Sequence, residues 1–346
     1  MKLAVFLPNW VGDAVMATPA LRALRTEFPQ AKIVGVMRPV IADVLEGTDL
    51  IDRALLYHPR GKNPAQRGSM FLRSLQAEKC DTAILFTNSL RTAWLAWRSG
   101  AKVRLGFARD LRGWLLTARL MPRSKSIPNP VIDEYNRLAQ TMGCRRITRT
   151  MELATTELDR TALESFWKKH PTPYQSRVIV LNTGGAFGPA KNWPLASFID
   201  LAKRLISQTD HTVLVACGPG ERDDARAIVA GTNSPRVVTF ADEPLSIGLT
   251  KAAVQSAALM VTTDSGPRHF AAAFGIPVIT LFGPTHVAWS ETYSPLAVHL
   301  QHQVDCGPCQ KRTCPLKHHR CMTELSVDRV FQAVMQRLQQ PTQRAA

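Results

Sequence analysis

The stretch ALMVTTDSGPRHFAAAFGIPVITLF, residues 258–282, carries the fold in miniature. The run 258–262 reads as a buried strand. A polar loop follows, and 265–274 reads as a short, largely apolar helix. The run 277–282 reads as the last strand of the chain. Strand, helix, strand in this order is the repeating unit of a parallel sheet.

Outward from this stretch the unit recurs. In the second half, strands are expected at 177–181, 212–216 and 237–240, with helices at 196–207, 221–230 and 246–255 between and after them. The first half repeats the pattern. Strands are expected at 2–7, 31–37 and 82–86, and helices at 13–27 and 89–98. The helix at 13–27 rests on the spacing of Val15, Met16, Leu21 and Leu24. Residues 143–152 are basic and lack a period, while 158–169 opens a new helix. The boundary is therefore placed near residue 150, between an N-terminal domain, 1–150, and a C-terminal domain, 151–346, which ends in a Cys-rich segment, 306–321, and an amphipathic helix, 326–338. The expected class is α/β, with two Rossmann-like doubly wound domains facing across a cleft. Ligands of such sheets sit beyond the carboxyl ends of the strands, so the loops there are where chemistry is sought.

The composition, 45% hydrophobic and 20% charged over 346 residues, fits a packed globule. The formal charge is +16, which favours acidic partners. Residues 101–150 hold eleven basic and three acidic residues, and Arg60, Lys62, Arg67 and Arg73 form a second basic stretch. No apolar run approaches the roughly 20 residues of a membrane-spanning helix, and no signal peptide is visible. The expected location is cytoplasmic, with room for peripheral contact with a membrane.

Four loops follow expected strands. Pro8-Asn9-Trp10-Val11-Gly12-Asp13 places a carboxylate near a helix start, where it serves as an N-cap or as a general base. The loop 182–194 joins Thr183, Gly184 and Gly185 to Lys191, and a Lys beside exposed backbone N–H groups suits a phosphate. Its spacing is not that of a P-loop. Cys217-Gly218-Pro219-Gly220-Glu221 is a glycine-rich turn with an acid that suits ribose hydroxyls or simply the helix dipole. In Thr263-Asp264-Ser265-Gly266-Pro267-Arg268-His269, Asp264 suits sugar hydroxyls and the helix start at Ser265 and Gly266 suits an anion. His269 faces the cleft or packs beneath it. Phe282-Gly283-Pro284-Thr285 closes the same sheet edge.

These strings resemble glycosyltransferase family 9, the lipopolysaccharide heptosyltransferases. The matches are Asn9 to Asp13, Phe187 to Pro194, Thr263 to Gly266 with His269, and Phe282 to Thr285; the Gly188-Pro189-Ala190-Lys191 form looks most like the second heptosyltransferases. The resemblance implies the GT-B fold and an inverting transfer of heptose from ADP-L-glycero-D-manno-heptose to a heptosylated Kdo2–lipid A core. It implies Asp13 as catalytic base. On the donor side it implies Lys191, Glu221, Asp264, Ser265, Gly266 and His269, together with Thr183, Gly184 and Thr285. No cofactor is then required for catalysis, because Lys191 and the helix start neutralise the leaving diphosphate. Asn9, Arg60, Lys62, Arg109 and Arg112 are the expected contacts to the anionic acceptor at the inner membrane.

Cys306, Cys309, Cys314 and Cys321 fall within sixteen residues, beside His318 and His319. One reading is a structural zinc or an iron–sulfur cluster; the other is reduced cysteines on a loop. Two further functions compete with heptosyl transfer. Another nucleotide-sugar transferase or an epimerase would use the same loops. A nucleic-acid-binding protein would explain the charge but leave the Gly/Asp/Lys loops without a purpose, so no nucleic-acid partner is expected. The acceptor hydroxyl and the oligomeric state are left open by the sequence.

Overall fold

The computed structural model describes residues 1–124, 126–185 and 187–340. Lys125 of the basic stretch, Ala186 of the second loop and the polar tail lie outside the described residues. The chain divides into two compact units, residues 1–154 and 155 onward.

The first unit runs β1 (Lys2–Phe6), α1 (Val11–Met16), α2 (Thr18–Glu27), β2 (Lys32–Met37), α3 (Pro39–Leu45), β3 (Arg53–Leu56), α4 (Gly68–Ala77), β4 (Thr82–Leu85), α5 (Leu90–Arg98), β5 (Val103–Phe107), β6 (Ala118–Leu120) and α6 (Val131–Thr141). Its six strands form one sheet in the order β3-β2-β1-β4-β5-β6, with every neighbour parallel. Phe6, Phe71, Leu75 and Leu85 share its core. The expected helix 13–27 is two helices. Pro19 sits in the first turn of α2, and a residue without an N–H is tolerated only there, so the ladder restarts. Strands β3, β5 and β6 escaped the sequence reading because they are short and each carries an arginine.

The second unit runs α7 (Glu157–Lys169), β7 (Val178–Asn182), α8 (Leu195–Gln208), β8 (Thr212–Ala216), α9 (Arg222–Thr232), β9 (Val237–Thr239), α10 (Ile247–Ser256), β10 (Leu259–Thr263), α11 (Pro267–Ala273), β11 (Val278–Phe282), β12 (Ala297–Gln301), α12 (Arg320–Thr323) and α13 (Val327–Gln339). A capping box starts α7: Thr156 Oγ1 accepts from Asp159 N–H and the Asp159 carboxylate accepts from Thr156 N–H. The sheet order is β12-β11-β10-β7-β8-β9, again parallel throughout. The strand at 278–282 is therefore not the last. Strand β12 follows it at the edge, half-buried, and its mixed sequence Ala-Val-His-Leu-Gln lacks the continuous apolar run of a strand covered on both faces.

Both sheets repeat the doubly wound order in which the chain reverses direction between its first and fourth strands. That reversal opens a crevice at the carboxyl ends of the two strands flanking it. In the first unit the flanking strands are β1 and β4; in the second they are β7 and β10.

Candidate active site

In the second unit the crevice brings the loop after β7 against the loop after β10. Asn182, the last residue of β7, ties them together. Its amide donates to Gly184 O at 3.0 Å, Thr262 Oγ1 at 3.0 Å and Ser265 Oγ at 2.9 Å. The contact is so close that a Cβ on Gly185 would lie 2.7 Å from Ser265 Cβ; on the other side, towards the loop after β8, one on Gly184 would lie 2.3 Å from a Glu221 carboxylate oxygen. Gly185→Ala should therefore force the loops apart. The expected cost is about 1–3 kcal/mol of stability with a larger loss of turnover, read by urea unfolding and initial rates.

Lys191 and Asp264 meet across these loops. The Lys191 ammonium donates to the Asp264 carboxylate at 2.5 Å and to its backbone carbonyl at 2.9 Å, and it lies 4.3 Å from the Phe187 ring centroid. Thr285 Oγ1 donates to the same carboxylate at 2.7 Å. Beneath them Arg268, 0% exposed, approaches Asp264 at 3.3 Å and donates to Ser290 O and Oγ at 2.8 Å. His299 lies 3.2 Å from its other terminal nitrogen. Burial alone would push the Asp264 carboxyl up. The charges of Arg268 and Lys191 and the hydrogen bonds from Lys191 and Thr285 outweigh it and hold the carboxyl far below the usual carboxylate range. Asp264 is thus an ionised hub that fixes two cations, where the sequence reading placed a carboxylate open to sugar hydroxyls. Arg268, Asn182, Ser290 and His299 were not singled out in the sequence; a polar residue ending an apolar strand was the one available signal, at Asn182.

His269 is buried beside this hub, its Nδ1 without a partner among the described residues. Burial, then Arg268, drives its pKa well below the ordinary value, so it packs beneath the loop as neutral imidazole. A base with a depressed folded pKa stabilises the fold above its unfolded pKa and loses that contribution as pH falls. Stability of the second unit should decline below about pH 6.5, by up to about 1.4 kcal/mol per pH unit for this one group. Thermal melts of His269→Gln should show a shallower acid slope. Thr183 Oγ1 is likewise buried without a partner among the described residues. Glu221 turns back on its own loop, its carboxylate accepting from Gly218 N–H at 2.7 Å. Ser265 and Gly266 precede α11, which is only seven residues long, so the fixed positive charge there is chiefly that of Lys191.

In the first unit the crevice holds a cavity of about 320 Å³ lined by Asn9, Arg38, Tyr57, Thr87, Ser89 and Arg91 among others. Burial pushes the Tyr57 phenol up, opposed by the Arg91 guanidinium hydrogen-bonded to it. Asp13 is the third residue of α1 and half-buried. The N-cap is Trp10 and makes no side-chain cap, which removes the N-cap reading of Asp13. The Asp13 charge adds to burial in pushing the phenol of Tyr135, on α6, upward.

Residues 69–320, well over half of the chain, match glycosyltransferase family 9 (heptosyltransferase). The chain belongs to this family. It is 26% identical over 345 residues to lipopolysaccharide heptosyltransferase 2 of Escherichia coli K12, covering 96% of this chain and 97% of the relative. Among solved structures, E. coli ADP-heptose lipopolysaccharide heptosyltransferase II superposes with a TM-score of 0.81 at 22% identity, covering 98% of both chains. An E. coli heptosyltransferase with ADP superposes at 0.73 with 18% identity, covering 97% of this chain and 100% of that one. The two parallel sheets are the GT-B fold of these structures.

One expectation for the family 9 enzyme is corrected. Arg112 was expected to reach an acceptor. It is 0% exposed and donates inward to Phe107 O at 2.9 Å, Thr87 O at 2.6 Å and Asn88 Oδ1 at 3.1 Å. Burial pushes its pKa down to about 10. Arg112 braces the loop after β4, while Arg60 and Lys62 are exposed and Arg109 is half-exposed. The fold also gathers Cys306, Cys309, Cys314 and Cys321 of the Cys-rich segment. They line one small cavity with His318 and His319, and Cys306 Sγ lies 3.9 Å from His318 Nε2. Yet among the described residues no three His, Cys, Asp or Glu side chains are grouped to hold a metal ion. No disulfide joins them.

Proposed function

We propose that this family 9 enzyme transfers heptose from ADP-L-glycero-D-manno-heptose to a heptosylated Kdo2–lipid A inner core, inverting the anomeric centre. The observation that carries the reading is the Lys191–Asp264–Arg268 hub. An ammonium has three N–H donors. Asp264 engages Lys191 through two acceptors, and the remaining donor is available to a diphosphate oxygen. The names of the relatives supply the donor and the acceptor class, ADP-heptose and lipopolysaccharide.

In this reading the second unit holds the donor. Lys191 stabilises the charge that develops on the leaving ADP. Glu221, Thr183 and Gly184 lie along the nucleoside, while Ser265, Gly266 and Thr285 frame the diphosphate and sugar. The first unit holds the acceptor, with Asn9, Arg60, Lys62 and Arg109, and with Arg38 and Arg91 added by the crevice. Asp13 removes the proton from the acceptor hydroxyl as its oxygen attacks the anomeric carbon. The bond from that carbon to the β-phosphate oxygen breaks, and ADP departs from the opposite face. The cation beside the diphosphate is Lys191, so no catalytic metal is needed. Among the described residues no helix is long and apolar enough to cross a membrane; the reading places the enzyme in the cytoplasm, working at the membrane that holds its acceptor.

The test is a donor screen on a deep-core acceptor. ADP-heptose should release ADP stoichiometrically with product, and UDP- and GDP-sugars should be inert. Faster turnover of another nucleotide sugar would overturn the donor assignment.

A further inference from the structure

Helix α5 turns an unusual face outward. Leu90, Trp94 and Trp97 recur at the spacing that aligns residues along one side of a helix, and all three are exposed. Ala93 and Ala96 cover the opposite, buried side. Beside this stripe lies Trp114, 71% exposed, and the turn after β5 that leads to it carries Leu111, 90% exposed. Trp94 and Trp114 line one apolar groove of about 800 Å³ with Leu72, Leu90 and Leu95. Large aromatic and aliphatic side chains grouped in water mark an interaction surface.

The charge around this face is predominantly positive, although the exposed Asp110 adjoins Leu111. Residues 57–77 hold four Lys or Arg, residues 87–109 hold five, and neither segment contains an Asp or Glu. Arg91 and Arg98 line the groove itself, and the Arg98 guanidinium lies 5.3 Å from the Trp94 ring centroid. Tryptophans have an apolar body and one N–H, which suits the boundary between acyl chains and headgroups. Arginines rimming them suit anionic headgroups. A single-stranded nucleic acid would use the aromatic rings for stacking, but Leu90 and Leu111 offer nothing to a base, whereas both partition into a bilayer.

We propose that the face formed by Leu90, Trp94, Trp97, Leu111 and Trp114 seats this enzyme on an anionic lipid bilayer. The inference deepens the reading of a lipid-anchored acceptor by naming the surface that meets the membrane. Its deciding measurement, vesicle binding, needs neither donor nor acceptor, so it stands or falls apart from the transfer reaction.

The experiment is co-sedimentation of the full chain with vesicles of equimolar phosphatidylglycerol and phosphatidylcholine, against phosphatidylcholine alone. The parent should pellet with the anionic vesicles and be released by salt. The triple variant Trp94→Ser/Trp97→Ser/Trp114→Ser should bind at least about tenfold more weakly and should stay folded with a modest fall in Tm, because the replaced side chains are only partly buried. With a soluble, delipidated acceptor it should keep parental turnover. The proposal is overturned if the parent stays in the supernatant, or if the folded triple variant pellets like the parent. It is also overturned if the same substitutions abolish self-association or oligonucleotide binding in a protein that ignores vesicles.

Discussion

Asp13→Asn should lower kcat by about 100- to 10,000-fold, the usual worth of a positioned general base. The substitution keeps the size and shape of the side chain and removes its ability to take a proton. Asp13 is not the N-cap of α1, a place held by Trp10, so no cap is lost; the weakened helix-dipole contact costs about 0.3–1 kcal/mol, and the amide keeps a hydrogen-bonding group of the same shape in place. The two effects therefore separate. Donor binding, measured by titration with ADP-heptose, should be unchanged, because every donor contact assigned above lies in the second unit. Near-parental turnover in Asp13→Asn would mean that the base is another group. A lost turnover accompanied by a large fall in Tm would mean that Asp13 is structural.

Asp264→Ala should be the most destabilising single change in the second unit, costing about 3–5 kcal/mol. The reason is the company this carboxylate keeps. Arg268 is wholly buried and Lys191 nearly so, with 12% of its side chain exposed. Both lose their counter-charge together, and an unpaired buried cation carries the full penalty of leaving water. Asp264→Asn keeps the hydrogen-bonding shape and should fall between. The double variant Asp264→Ala/Arg268→Met removes the stranded cation and should recover part of the stability without recovering transfer. Urea unfolding of the three variants, followed by a probe in the second unit, measures this. An Asp264→Ala protein within about 1 kcal/mol of the parent would show that the hub is a surface ion pair in energetic terms.

The two predictions draw on different kinds of information. Asp13 was visible in the string Asn9 to Asp13, since a short loop between a strand and a helix is local and its residues stay together in any fold. The same holds for the strands that are apolar throughout and for the glycine-rich turns after β7 and β8. Short edge strands were invisible for the converse reason. In β12, polar residues alternate with apolar ones along a half-buried edge, and nothing local separates that from a loop.

The charged residues show where sequence reading ends. Arg109 and Arg112 stand three positions apart in the same basic stretch, and a count of charges treats them alike. The turn at 110–111 takes left-handed backbone and brings Arg112 back under the sheet, where three oxygens satisfy it, while Arg109 stays partly exposed. Lys191 and Asp264 are 73 residues apart, and each loop alone reads as a phosphate or a sugar contact. Their pairing follows from β7 and β10 being adjacent in a parallel sheet. Alternating apolar runs and turns are short-range features, so the amino-acid order suffices to specify the class of fold and the loops worth inspecting. Which loops touch, which cations are buried, and how Asp264 is held ionised are consequences of strand order and packing, because burial and counter-charge exist only once distant segments have been brought together.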